Sequence, residues 1–202
     1  MYLPKTPEIA KKIFPKLKWD EKTEEKIVYL TFDDGPTPGV TRWVLEQLRE
    51  YDAKATFFCL GKNVELYPAI FEETLKDGHA VGNHTYNHLD SWKSNRKKYL
   101  QDIESCDQVF SSKYFRPPYG KLKPGIRTAI RKKYEIVMWD VMAYDFDQSI
   151  SSEQCLNNVL DNVKTGSIIV FHDSIKAEKH IRYALPKILK EFSMRGLKME
   201  AL

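Results

Sequence analysis

Lys26-Ile27-Val28-Tyr29-Leu30-Thr31-Phe32, followed at once by Asp33-Asp34-Gly35-Pro36 and soon after by Val40–Tyr51 (VTRWVLEQLREY), is the stretch on which the fold turns. The first seven residues are rich in β-branched and aromatic side chains and stop at a Gly-Pro turn, as a strand does. In the last twelve, Val44, Leu45 and Leu48 recur at helical spacing. A strand, a polar turn and an amphipathic helix in this order form one β–α unit.

The unit repeats along the chain. Ala55–Gly61 reads as a second strand, followed by a helix from about Val64 to Lys76 that Gly78 stops. A short strand at His79–Thr85 precedes a long helix at about Ser94–Phe110. Tyr114–Pro118 is extended, because a residue before proline is pushed out of the α region. A helix near Ile126–Tyr134, a strand at Glu135–Val141 and a helix at Ser151–Val163 come next. Ser167–Phe171 (SIIVF) is apolar enough to be buried on both faces and is predicted as the last strand. A closing helix covers about Tyr183–Phe192, with Pro186 expected in its first turn. Alternation of this kind predicts an α/β fold of parallel strands with helices packed outside. No linker, repeat or low-complexity tract divides it. The expectation is a basic segment, residues 1–25, packing on or preceding a single domain, residues 26–202.

Composition narrows the function classes. A hydrophobic share of 42% with 12% aromatic is globular, and 202 residues bury enough core to fold without disulfides. The three cysteines are widely spaced with no C-x-x-C, so Cys59 and Cys155 are expected as buried thiols. Five lysines (Lys5, Lys11, Lys12, Lys16, Lys18) against Glu8 make the N-terminus basic within a net charge of +4. Such a run is read as a solvated face, with weak membrane-surface or polyanion contact as its other reading. Nothing else resembles a basic stripe for nucleic acid, and no stretch approaches the ~20 apolar residues of a membrane span. Pro4, Pro7 and Pro15 interrupt the N-terminus, which lacks the apolar region of a secretory signal. The sequence expectation is therefore a cytoplasm-compatible chain starting at Met1.

In parallel α/β folds, ligand sites form at the carboxyl ends of strands. The polar clusters here fall at predicted strand ends: Asp33-Asp34, His84, Arg116, Asp140 and His172. Adjacent carboxylates raise one another's pKa unless a cation intervenes. Asp33-Asp34-Gly35-Pro36 is thus either a solvated turn or a metal ligand beside a base, and a Mg²⁺ phosphotransfer site would also fit. His84 and His88, four residues apart, share one face of a helical turn or of a strand. With Asp34 they make a two-His, one-carboxylate set with open positions for water and substrate, compatible with a hydrolase or a non-haem iron oxygenase. Pro117 and Pro118 stiffen the segment between Arg116 and Tyr119. That segment is either a rigid connection, or it pairs Arg116 with an aspartate and aims the Tyr119 N–H at a developing oxyanion. His172, at the end of SIIVF, is read as a general acid. His79 and His180 are left as ordinary residues. Trp139 and Tyr144 are either core or a stacking wall for a sugar ring.

Together these pieces resemble the polysaccharide deacetylase family, also called carbohydrate esterase family four or the NodB homology domain. The resemblance rests on T-F-D-D-G-P at 31–36, H-T-Y-N-H at 84–88, R-P-P-Y-G at 116–120 and G-S-I-I-V-F-H at 166–172, in the family's order. It implies a distorted (β/α) barrel of about seven parallel strands. It also implies a metal-dependent hydrolase that removes N-acetyl groups from N-acetylglucosamine-type glycans and releases acetate. Asp34, His84 and His88 would hold one divalent ion, Zn²⁺ first and Co²⁺ or Ni²⁺ as substitutes, which acidifies the attacking water. Asp33 would be the base, Arg116 its orienter, the Tyr119 N–H an oxyanion donor, and His172 the acid. Family analogy points to the cell envelope, against the missing signal. One segment departs from W-x-V-D-x-x-D-W: Met142 stands where an aspartate tunes the acid histidine, and Phe146 replaces tryptophan. Asp140 and Asp145 are the two candidates to supply that carboxylate. The alternatives are a metal-retaining glycan-binding protein with little turnover and, behind it, an Fe(II) oxygenase.

Overall fold

The computed structural model describes residues 3–202; Met1 and Tyr2, the first residues of the basic segment, lie outside the described residues. The chain begins with a short helix α1 (Glu8–Ile13), strand β1 (Ile27–Asp33), helix α2 (Val40–Glu50), strand β2 (Ala55–Cys59) and two abutting helices, α3 (Gly61–Leu66) and α4 (Pro68–Lys76). Strand β3 (Ala80–Asn83), helix α5 (Arg96–Val109), strand β4 (Tyr114–Phe115), a 3-10 turn (Pro118–Gly120) and helix α6 (Pro124–Ile130) follow. Strands β5 (Glu135–Ile136) and β6 (Val141–Met142), helix α7 (Ser152–Leu160), strand β7 (Ile168–His172), helix α8 (Glu178–Met194) and strand β8 (Lys198–Met199) complete it.

The strands lie in the order β5-β4-β3-β2-β1-β7-β6, all parallel, and β8 pairs with the start of β1. β5 and β6 stand at opposite ends of this path although only residues 137–140 separate them. So short a connection spans no more than roughly 18 Å, and the sheet must curl until its ends meet. Val137 N–H donates to Phe115 O on one side (2.9 Å) and Asp140 N–H to Ile168 O on the other (2.9 Å). The single strand predicted at Glu135–Val141 is thus one extended run that changes partner midway and forms the seam. The fold is the single-domain, distorted barrel of parallel strands that the resemblance implied.

Period-two alternation on β1 separates two layers. Val28, Leu30 and Phe32 face the outer helices, where they join Leu45, Leu48, Ile181, Leu185 and Ile188 in the main core. Phe32 stacks between Phe57 (5.0 Å) and Phe171 (5.8 Å) from the flanking strands; each such ring contributes about 1.5–3 kcal/mol on burial. The other face of β1 (Tyr29, Thr31, Asp33) looks into the barrel, where Phe58, Tyr114, Val137 and Ile168 fill the base. Asp33 is left at the upper end.

Several boundaries differ from expectation for local reasons. The helix predicted at Val64–Lys76 breaks at Tyr67, because Pro68 has no N–H to donate and instead begins α4. α8 starts five residues before the predicted Tyr183, so Pro186 lies in its interior and not in its first turn. Ile181, Ala184, Leu185, Ile188, Leu189 and Phe192 are all fully buried, and their packing outweighs the ~3 kcal/mol an interior proline costs. α1 and β8 were not anticipated.

Nor is the basic run wholly solvated. Residues 4–6 run antiparallel to β6, and Lys18 pairs in parallel with Val137. Lys5 and Lys11 each place an ammonium 2.6 Å from the fully buried Asp140, and Ser167 Oγ donates to it at 2.6 Å. Lys18 pairs with Glu21 and Glu135; Lys12 and Lys16 are exposed. All three cysteines are free and buried, and burial pushes their thiols up. No helix among the described residues is long and apolar enough to cross a membrane.

Candidate active site

The rim at the carboxyl ends of the strands gathers most, but not all, of the expected residues. Asp34 leaves β1 at φ 81°, and its Oδ1 is buried with no hydrogen-bond partner. Two ring nitrogens face it, His88 Nε2 at 3.2 Å and His84 Nε2 at 3.6 Å. Burial favours the neutral acid at Asp34, but His88, His172 and His84 hold its carboxyl well below the ordinary range. His84 Nδ1 lies 2.8 Å from the Arg116 carbonyl. A carbonyl only accepts, so Nδ1 carries the proton and Nε2 presents its lone pair toward Asp34. Burial lowers the His84 pKa to about 4, which keeps the ring neutral. His88 is braced by Tyr119, whose hydroxyl is 3.2 Å from Nδ1 and whose ring meets it edge-on at 4.6 Å.

Asp34, His84 and His88 each offer one ligand atom, all within 4.8 Å of one another. A buried, orphaned carboxylate oxygen facing an imidazole lone pair is a repulsive arrangement unless a cation lies between them. The donor set therefore fits a divalent ion of the zinc type. The two histidines lie neither on a helix nor on a strand. His84 follows β3 directly, and a tight turn with positive φ at Thr85 (67°) and His88 (58°) swings the second ring back. Of the six non-glycine residues with positive φ among those described, Asp34, Thr85, His88, Tyr119 and Tyr144 are all at this rim, the clustering expected where backbone strain serves a site.

Beneath the triad, Arg116 is wholly buried and uses its full fork. Nη1 donates to Asp33 Oδ1 (2.7 Å) and Thr31 Oγ1 (2.7 Å), Nη2 to Met138 O (2.8 Å) and Nε to Val137 O (3.3 Å). The guanidinium also stacks 4.0 Å from the Phe58 ring centre. Asp33 thereby has one oxygen tied down, while Oδ2 looks toward His84 Nε2 at 4.0 Å. Thr31 as part of this grip was not foreseen, nor was Asn63, whose Nδ2 donates to Asp34 O at 2.8 Å.

On the opposite wall, Asp145 Oδ1 accepts from His172 Nδ1 at 2.8 Å, and Oδ2 accepts the His172 backbone N–H at 2.7 Å. Burial alone would lower the His172 pKa; Asp145, helped by Asp34 and Asp33, raises it to about 9. Asp145 is thus the carboxylate supporting His172. Asp140, the other candidate, does not reach the rim, because Lys5, Lys11 and Ser167 hold it on the outside of the seam. Met142 is a wall residue of the cavity, which has a volume of about 1000 Å³. Asp33, Asp34, His84, His88 and His172 line that cavity, together with Trp139, Tyr144, Phe146 and Tyr119. Ile175 and Lys176, which carried no sequence signal, complete its edge. His79 accepts from the Ala55 N–H and His180 bonds Ser152, both away from the cavity.

Similarity to known proteins follows the same outline. Residues 20–137 match the family model described as polysaccharide deacetylase. The chain is 37% identical over 185 residues to a peptidoglycan-N-acetylglucosamine deacetylase of Bacillus cereus, covering 88% of this chain and 87% of that one. It is 39% identical over 157 residues to a chitooligosaccharide deacetylase of Azorhizobium caulinodans, covering 72% and 73%. The fold superposes with a TM-score of 0.88, at 31% identity, on a peptidoglycan N-acetylglucosamine deacetylase crystallised with 4-naphthalen-1-yl-N-oxidanyl-benzamide, covering 98% of this chain and 95% of that one. The chain belongs to the polysaccharide deacetylase family.

Proposed function

We propose that this protein hydrolyses the acetamide of N-acetylglucosamine-type residues in a glycan, releasing acetate and a free amine, with one divalent ion, zinc foremost, held by Asp34, His84 and His88. The observation that carries this reading is the convergence of three units on one cavity: the ligand triad, the Asp33–Arg116 pair and the His172–Asp145 pair. The relatives named as deacetylases of peptidoglycan and chitooligosaccharides support the substrate class.

When bound, the ion supplies Lewis acidity that polarises the amide carbonyl and acidifies water. Asp33, its Oδ1 fixed by Arg116, takes a proton from the attacking water through its free oxygen. The tetrahedral carbon that results must expel nitrogen, and an amine anion is too poor a leaving group to depart unprotonated. His172, kept protonated by Asp145, donates that proton. Its elevated pKa matches the role of acid, whereas His84, neutral through burial, matches that of ligand. Tyr119 lies at the cavity edge with φ 61°, and in this reading its N–H meets the developing oxyanion. Trp139, Tyr144 and Phe146 offer apolar faces to a sugar ring.

The test is acetate release from a panel of acetylated glycans by metal-loaded wild type and Asp33→Asn. Wild type is expected to release acetate from at least one glycan and Asp33→Asn to be severely impaired. No release from any glycan with zinc, cobalt or nickel sinks the proposal, and an unimpaired mutant removes Asp33 from it.

A further inference from the structure

Asp173 directly follows His172 yet lies behind the cavity wall, fully buried and touching none of the cavity's space. Its side chain points into the loop that carries the two aspartates. Oδ1 accepts the Gly35 N–H at 3.0 Å, and Oδ2 accepts the Thr41 hydroxyl at 2.6 Å. Its own N–H donates to the Asp33 carbonyl at 3.1 Å. Asp173 therefore grips the chain on both sides of Asp34. Thr41 extends the hold, since its hydroxyl also accepts the Thr37 N–H at 2.7 Å.

The fit leaves no slack. A Cβ at Gly35 would lie 2.0 Å from Asp173 Oδ2, so glycine is required there for the carboxylate to come this close. Between the two gripped groups, Asp34 sits at φ 81°, a conformation that costs a non-glycine residue about 1–2 kcal/mol and persists only when its surroundings enforce it. Asn63 secures the Asp34 carbonyl from the other side. These contacts give a reason for an unexposed carboxylate, which is otherwise expensive to bury.

We infer that Asp173 is a positioning residue: it holds Asp33 and Asp34 in their working orientation and fixes them relative to His172 through a shared stretch of backbone. The inference rests on the metal-site reading for its functional meaning. Removing the clasp lets the Asp34 backbone relax toward ordinary φ, which swings its Oδ1 away from the two histidines. Outer partners of metal ligands commonly change affinity by about 10–100-fold, and a loss in that range is expected here.

The experiment measures zinc affinity by chelator competition, with circular dichroism and thermal unfolding of the metal-free protein alongside. Asp173→Ala should bind zinc about 10–100-fold more weakly while remaining folded. Asp173→Asn, which keeps an acceptor for Gly35, should fall closer to wild type, and Gly35→Ala should resemble Asp173→Ala. A folded Asp173→Ala that binds zinc as tightly as wild type overturns the inference. If Asp173→Ala does not fold, Thr41→Val decides: it releases Oδ2 and the Thr37 N–H while keeping the Gly35 bond, so reduced affinity supports the clasp and unchanged affinity refutes it. A wild type that binds no zinc counts against the metal site. The clasp is then judged by hydrogen exchange at the Gly35 amide, where slow exchange in wild type and fast exchange in Thr41→Val support it and fast exchange in wild type overturns it.

Discussion

Replacing Arg116 by methionine removes a fully buried cation beneath the site while keeping most of the side-chain volume. Asp33, only 4% exposed, then loses the group 2.7 Å from its Oδ1, and the carbonyls of Val137 and Met138 lose their side-chain donors. Breaking a buried ion pair from one side costs about 3–5 kcal/mol, because the remaining charge is left uncompensated. The cavity contribution is small, since methionine adapts to irregular space. For a chain of this length each kcal/mol lowers Tm by about 2–4 °C, so the fall should be roughly 6–20 °C. Urea unfolding of the metal-free protein measures it directly. The double mutant Asp33→Asn/Arg116→Met should recover part of the loss, with a coupling energy of about 0.5–3 kcal/mol. Arg116→Lys should not rescue, because one ammonium cannot reach Asp33, Thr31 and two carbonyls together. A loss below about 1 kcal/mol in Arg116→Met, or no coupling to Asp33, would refute the idea that this pair is a buried, mutually dependent unit.

Two further outcomes are expected. The His172 pKa is raised by Asp145 from its ordinary 6.5 to about 9, so in metal-free protein the pair's stabilisation is complete below pH 6.5 and disappears as pH rises through 9. Unfolding free energy against pH should show that decline. Asp145→Asn should flatten it and move the alkaline limb of activity to lower pH, whereas Asp140→Asn should destabilise the protein without moving that limb. Zinc added to metal-free protein should stabilise it by about 2.7 kcal/mol at one hundred times Kd; in His84→Ala the Tm shift should largely vanish, and an undiminished shift would place the ion elsewhere.

The rim of the candidate site was legible in the sequence because each of its elements is announced locally. An apolar run ends in Asp33-Asp34, another in His172, and the proline pair marks Arg116. What stayed hidden depends on register and on distant partners. Asp140 and Asp145 look equivalent along the chain, but the seam turns the first toward the N-terminal lysines and the second toward His172. The lysine run gives no hint that Lys5, Lys11 and Lys18 find buried or half-buried carboxylates while Lys12 and Lys16 do not. Pro186 was placed in a first turn because local sterics favour it there, and the apolar face of α8 overrode that preference. The exchange of partners within Glu135–Met142 has no sequence signature, since both halves read as one strand.

That exchange bears on how the molecule comes apart. The run from Glu135 to Met142 is held to its neighbours by short ladders, by the N-terminal strap and by Arg116, which bonds the Val137 and Met138 carbonyls, so a sub-global opening there must release all three. On one side of the break lie β1 and β3 with Asp34, His84 and His88; leading out of the run itself is the loop that ends in Asp145. A molecule opened at the seam keeps Asp34, His84 and His88 together but releases the Asp145 brace on His172. If the proposed chemistry holds, loss of turnover under mild denaturant should precede loss of metal, and the two halves of the chemistry would fail in sequence.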